Sequence, residues 1–305
     1  MTIFPPQDEA HTGGLNTILD WLRWGASRFT EAGVFFGHGT DNAWDEAIYL
    51  LASAIQQPWD MVEKAQLAAL TPVEKEAVYQ IFKQRVEERV PAPYLTGVAW
   101  FGGYPYKVTR DVLVPRSPVA ELIFNNFEPW VVDAPKAILD MCTGSGCIGI
   151  ACAHQFPEAQ VSLSDISTDA LAVAEQNIAF HHVNDRVTAV HSDGFNALAG
   201  NTYDLIIANP PYVDAQDFAT MPAEFHAEPR LGLVSGNDGL DFTRRLLREA
   251  HGFLNDGGSL VVEVGNSWPA LEAAFPEISF VWPELENGGH GVFVLSKQQL
   301  SNINE

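Results

Sequence analysis

The residues best suited to chemistry in this 305-residue chain are Asn209-Pro210-Pro211-Tyr212, which directly follow the apolar run Leu-Ile-Ile-Ala at 205–208. Two consecutive prolines cannot donate to a sheet ladder, and they hold the backbone in a stiff, extended turn. Such a turn offers the Asn209 side-chain oxygen and the Pro210 carbonyl as two fixed acceptors, with the flat ring of Tyr212 beside them. Two acceptors and a stacking face suit a planar NH2 group. A second cluster, Asp140-Met141-Cys142-Thr143-Gly144-Ser145-Gly146, has the glycines that let a backbone turn approach a ligand at a helix N-terminus. Taken alone, that pattern fits a dinucleotide as well as S-adenosylmethionine. Asp165, with Ile166 beside it, could accept both hydroxyls of a ribose, and Asp193 could accept from an adenine amino group. Asp165 also fits a plain cap for the helix that follows, and Asp193 an ordinary turn. The Asn209 tetrapeptide separates the two cofactors, because a nicotinamide dehydrogenase has no use for paired acceptors facing an amino group.

These clusters fall where an alternating series of strands and helices would place them. AILDM (137–141), QVSLSD (160–165), RVTAVHS (186–192), YDLIIA (203–208) and SLVVEV (259–264) read as strands, with two more near 278–282 and 291–296. Helices are expected through Ala153, from the Ser167 cap to about His182, and over 239–254. Repeated β-α units predict an α/β fold, a doubly wound and mostly parallel sheet whose ligands sit at the carboxyl ends of the strands. Upstream, residues 15–90 read as helices. Asp41 and Asn42 are cap candidates, and Thr71-Pro72-Val73-Glu74 has the residues of a capping box with Pro at the first helical position. Period-two alternation over 94–114 around Gly102-Gly103 reads as a hairpin, followed by Ser117 as a cap. The expected domains are a helical substrate-recognition region (1–92), a hairpin linker (93–116) and a catalytic domain (117–305).

Asn-Pro-Pro-Tyr after the fourth strand, with Asp-x-Cys-Thr-Gly-Ser-Gly after the first, resembles the amino-group branch of class I S-adenosylmethionine-dependent methyltransferases, with their Rossmann-like sheet. The stretch ERVPAPYLTGVAWFGGYPYKVTRDVLVPRSPVAELI (88–123) is similar to the segment preceding the catalytic domain in protein-glutamine N5-methyltransferases of the HemK family. VPRSP, DMCTGSGCI, NPPYVD, EFHAEPRLGLVSGNDGL, ENGGHGVF and, near the N-terminus, FFGHGTDNAWDEA look closest to the branch acting on ribosomal protein uL3. The release-factor branch usually has Gly at the position of Cys142 and an IPRPDTE-like string in place of VPRSPVAEL. The resemblance implies S-adenosyl-L-methionine as cofactor, held by Asp140, Cys142, Thr143, Gly144, Ser145, Gly146, Asp165, Ile166, Asp193 and Asn209. It also implies a catalytic set of Asn209, Pro210, Pro211 and Tyr212, and a large-subunit ribosomal protein or assembly intermediate as partner. The hairpin, Arg116 and the helical region are expected to contact substrate, although Arg116 also fits an ion pair with a nearby carboxylate.

Charge narrows the partners. The chain carries 17 Lys and Arg against 39 Asp and Glu, net −22. Residues 121–305 alone hold 7 basic and 25 acidic side chains. Binding of phosphate backbones needs clustered Lys and Arg, so bare DNA and anionic membranes are disfavoured. That weakens the competing reading as an adenine-N6 DNA methyltransferase, which must also flip its base. A basic protein partner would be steered toward the acidic half, though a solubility role explains the same surplus. A non-enzymatic ribosome-assembly factor would not need both an intact glycine loop and an intact Asn-Pro-Pro-Tyr. The three cysteines, Cys142, Cys147 and Cys152, fit neither a disulfide framework nor a zinc site, and the nine histidines lack ligand spacing, so no metal is expected. The absence of an N-terminal apolar stretch and of any long apolar run points to a cytoplasmic protein.

Overall fold

The computed structural model describes residues 4–286 and 288–303. The backbone divides into two compact units, one made of residues 1–99 with 222–227, the other of 100–221 with 228–305. The division falls inside the first hairpin strand rather than at residues 92 and 116. The first unit also takes in six residues from far down the chain.

The first unit contains α1 (Ile18–Glu31), α2 (Ala43–Ala54), α3 (Trp59–Lys64), α4 (Pro72–Glu87) and α5 (Ala92–Thr96). Thr71 accepts from the Glu74 N–H while Glu74 reaches back to the Thr71 N–H, and Pro72 opens α4. Asn42 caps α2 through the N–H groups of Trp44 and Asp45. Trp21, Leu22, Phe29, Leu50, Leu51, Val78 and Phe82 form its core. Within that core Arg85 is fully buried, bonding Glu46 at 2.6 Å, Glu224 at 3.1 Å and the Phe35 carbonyl at 2.7 Å.

The hairpin is shorter than expected. Only β1 (Val98–Phe101) and β2 (Tyr104–Lys107) pair. Residues 92–96 form α5 instead, which a left-handed Gly97 terminates. Residues 108–114 bury Val108, Val112 and Val114 without a ladder partner, so their alternation records burial rather than pairing.

The second unit is built on a six-stranded sheet of β3 (Ala137–Met141), β4 (Gln160–Asp165), β5 (Val187–His191), β6 (Tyr203–Ala208), β7 (Leu254–Glu263) and β8 (Val292–Ser296). The spatial order is β5-β4-β3-β6-β7-β8, parallel except for β8. Residues 278–282 form no strand; Val281 makes a single bridge to Val294. Both faces of the sheet are covered. One carries α6 (Val119–Phe124), α7 (Cys147–Gln155) and α8 (Thr168–Phe180); the other carries α11 (Asp241–Glu249), α12 (Trp268–Ala274) and α13 (Lys297–Leu300), packed in separate apolar clusters. Two short helices, α9 (Ala215–Thr220) and α10 (Arg230–Leu233), follow β6. Because β3 leads to β4 on one side and β6 to β7 on the other, strand order reverses between β3 and β6. In open α/β sheets that crevice takes the ligand.

Candidate active site

A cavity opens at this switch point, lined wholly by the second unit. The segments after β3, β4, β5 and β6 and the last residue of β7, Glu263, contribute, together with residues 111–117, Pro229 and 231–233. Cys142, Thr143, Gly144, Ser145, Asp165, Ile166, Asp193, Asn209, Pro211 and Tyr212 all reach it. Asp140, Gly146 and Pro210 do not, and each has a physical reason.

Asp140 lies fully buried behind the glycine loop. Its Oδ2 accepts from Thr143 Oγ1 at 2.5 Å and from the Gly149 N–H at 2.9 Å, while Oδ1 has no partner. It therefore shapes the loop from within instead of touching a ligand. Burial pushes its carboxyl up to about 7. Gly146 is the left-handed cap of α7 and packs against Leu163. Pro210 is buried, offering only its carbonyl, since proline has no N–H.

Asn177, fully buried on α8, is a residue the sequence did not single out. Its Nδ2 donates to the Ser145 carbonyl at 2.8 Å and to the Lys107 carbonyl, and its Oδ1 accepts from the Lys107 N–H. One amide thus ties the glycine loop to β2. His181 also pins the hairpin. It bonds the Pro105 carbonyl and His154 and stacks on Tyr106. Cys142 sits in the left-handed region at φ 59°. Burial raises the Cys142 thiol and pushes Cys147 up to about 12, so neither is a thiolate nucleophile.

At the end of β4, Asp165 accepts from the Gly144 N–H through Oδ2 and from the Ser167 N–H through Oδ1, both at 2.9 Å. The helix cap itself is Ser167, through the Ala170 N–H. Each carboxylate oxygen has a further lone pair that can accept an additional donor. Burial raises the Asp165 pKa, against the two backbone hydrogen bonds that favour the anion. Asp193 lines the cavity, but its Oδ1 and carbonyl are both engaged by Arg245 of α11.

The end of β6 brings Asn209, Pro211 and Tyr212 to the cavity wall. Asn209 Oδ1 is buried and has no hydrogen-bond partner. The Tyr212 hydroxyl donates to Glu263 at 2.9 Å, and burial beside that carboxylate holds the phenol protonated. Arg116 pairs at 2.9 Å with the buried Glu228, which also accepts from the Val114 N–H at 3.0 Å. Among the described residues no group of His, Cys, Asp or Glu has the arrangement to hold a metal ion, and no helix is long and apolar enough to cross a membrane.

An unpartnered amide acceptor, a flat ring and a carboxylate at adjacent strand ends suit group transfer to an amino group better than hydride transfer. Residues 120–236 match the methyltransferase small domain. The chain is 46% identical over 288 residues to the ribosomal protein uL3 glutamine methyltransferase of Francisella tularensis, covering 94% of this chain and 92% of that protein. It is 47% identical over 288 residues to the enzyme of the same name from Neisseria gonorrhoeae, covering 94% and 96%. The chain belongs to the ribosomal protein uL3 glutamine methyltransferase family. It is a methyl-transferring enzyme, and the dinucleotide oxidoreductase reading of its glycine loop is set aside. A methyltransferase structure from Pyrococcus furiosus is similar at 18% identity, covering 63% of this chain and 88% of that one, with a TM-score of 0.44.

Proposed function

We propose that this methyltransferase family member transfers a methyl group from S-adenosyl-L-methionine to the side-chain amide nitrogen of a glutamine in ribosomal protein uL3. The observation that carries the chemistry is Asn209 Oδ1, a buried acceptor without a partner on the cavity wall. Leaving such a group unpaired costs about 1–3 kcal/mol, which an incoming N–H would recover. The names of the two relatives support glutamine and uL3 as target.

The residues present fit the cofactor. Asp165 has acceptor capacity for a ribose, the loop Cys142–Ser145 brings backbone to the cavity, and Ile166, half exposed, offers an apolar face to an adenine. When bound, S-adenosyl-L-methionine supplies an electrophilic methyl group on a sulfonium. The chain's own work is orientation. A glutamine nitrogen is a poor nucleophile because its lone pair is delocalised into the carbonyl. In this reading Asn209 Oδ1 accepts one N–H, which orients the amide and favours the positive charge that develops on nitrogen; the Pro210 carbonyl, expected as a second acceptor, stands outside the cavity lining. Tyr212 packs against the amide plane. Acceleration then comes from geometry and preorganised dipoles; the methylated nitrogen releases its surplus proton to solvent after transfer, so no strong base is required.

Asn209→Ala tests this directly. Transfer of labelled methyl to uL3 should be lost while S-adenosyl-L-methionine affinity stays within a few-fold. Retained turnover would remove Asn209 from its role. Parallel incubations with release factor and naked DNA should remain unlabelled; label on DNA alone would sink the protein-substrate reading.

A further inference from the structure

The end of β7 and the residues after it, Glu263-Val264-Gly265-Asn266-Ser267, have no site role in the sequence reading, and three of the five converge on Tyr212. Glu263, buried at the end of β7, accepts the Tyr212 hydroxyl at 2.9 Å. Its other oxygen accepts from Ser117 Oγ at 2.6 Å, and Ser117 Oγ in turn accepts from the Val119 N–H at 3.2 Å. Ser267 Oγ donates to the Tyr212 main-chain carbonyl at 2.8 Å. Gly265, in the left-handed region at φ 47°, packs close to the ring; a Cβ there would stand 2.5 Å from Tyr212 Cε2. Gly239, at φ 75°, approaches from a third direction, and a Cβ on it would fall 2.1 Å from the Tyr212 carbonyl oxygen. Phenol, ring edge and backbone of one residue are therefore each held by a separate contact.

We propose that Glu263 is a positioning residue for methyl transfer: with Gly265 and Ser267 it clamps Tyr212 so that the ring forms one fixed wall of the slot for the target amide. The proposal rests on the reading of residues 209–212 as the amide site. A tyrosine has a single O–H proton, and here it is committed to Glu263. The hydroxyl is thus an anchor and does not donate to substrate; what Tyr212 presents is its face. The second Glu263 oxygen extends the same anchor to Ser117, so Ser117 and Tyr212, on two walls of one cavity, are fixed to one carboxyl group. Both links survive protonation. A neutral Glu263 accepts from Tyr212 on one oxygen and donates from the other to Ser117, whose hydroxyl has a lone pair to spare. A glutamine at 263 would reproduce that neutral form.

The test measures kcat with uL3 and labelled S-adenosyl-L-methionine, together with cofactor Kd. Glu263→Ala should lower kcat by about 10- to 100-fold, the scale of a small misplacement of a reacting group, with Kd changed less than 3-fold. Tyr212→Phe should lose a similar factor, and the double variant should be no worse than the poorer single one. Glu263→Gln should restore kcat to within about 3-fold of the parent. Wild-type turnover in Glu263→Ala, losses that multiply in the double variant, or a Gln variant as impaired as Ala would overturn the clamp. Should Glu263→Ala fail to bind cofactor, Glu263→Gln and Tyr212→Phe decide: Gln must keep turnover and Phe must lose it, and Phe at the parental rate refutes the proposal. Asn209→Ala separates the two levels. An active Asn209→Ala removes the amide site itself, whereas an inactive Asn209→Ala beside a fully active Glu263→Ala removes only the clamp.

Discussion

Asp140 makes a quantitative test of how the cofactor loop is held. Its carboxyl is fully buried and is raised from the usual 3.8 to about 7, chiefly by desolvation and against the two hydrogen bonds from Thr143 and Gly149. A raised carboxyl pKa means that the folded protein binds a proton which the unfolded chain has already released. Between roughly pH 4 and pH 7 unfolding therefore releases a proton, and the stability contribution of this group falls as pH rises through that window and is flat above it. The gap corresponds to about 4 kcal/mol in full, of which roughly 2–3 kcal/mol is lost between pH 5 and pH 8. In an Asp140→Asn variant the new amide would keep one oxygen for the Thr143 and Gly149 donors and would not titrate. The cost of its unpartnered NH2 is the same at every pH. Urea unfolding of the parent and Asp140→Asn at pH 5, 6, 7 and 8 isolates the group, because the other carboxylates titrate alike in both proteins. The stability of the variant relative to the parent should rise by roughly 2–3 kcal/mol from pH 5 to pH 8. A difference that is flat with pH would show that the loop's donors hold Asp140 as an anion, and the reasoning from burial would be wrong.

Two further predictions concern the rest of the chain. Arg85→Met leaves the buried carboxylates of Glu46 and Glu224 without their common cation and should destabilise the first unit by about 3–5 kcal/mol, read from thermal unfolding; an unchanged midpoint would mean that the pair is compensated elsewhere. With 25 acidic and 7 basic residues over 121–305, association with a basic ribosomal protein should be steered by charge. Its on-rate should fall about 10-fold or more from 50 to 500 mM salt, and a flat rate would reduce the acidity to a solubility trait.

What was legible in the sequence was what is encoded locally. The Thr71-Pro72-Glu74 box and the Asn42 cap are satisfied within a few residues, and both form as read. Strands β3 to β6 follow from short apolar runs between turn residues. The overlong hairpin shows the limit of periodicity. Alternation at 108–114 reports which side chains are buried, and pairing needs a neighbouring strand that this stretch lacks. In the site, residues immediately after strands could be found because the α/β architecture itself directs them to the crevice. Glu263, Asn177 and Glu228 could not, since their partners lie 51, 70 and 112 residues away. Asp140 misled for a related reason: strand ends look equivalent in sequence, yet this carboxylate points beneath the loop.

Two unpartnered buried acceptors, Asp140 Oδ1 near the end of β3 and Asn209 Oδ1 just after β6, flank the switch point, and they differ in how the deficit can be relieved. A carboxyl group can take up a proton, as the raised Asp140 pKa reflects. An amide oxygen at neutral pH cannot, so Asn209 must be satisfied by a donor from outside the chain. The fold tolerates that deficit because β3 and β6 are buried on both faces and their ladder bonds do not depend on it. Removing the acceptor should then cost the fold little while removing the reaction. Asn209→Ala is expected to leave the ligand-free protein no less stable, relieving up to about 1–3 kcal/mol from the unpaired acceptor against the packing it loses, as turnover disappears. A loss of several kcal/mol would instead give Oδ1 a structural partner, and Asn209 would no longer be an acceptor kept open for substrate.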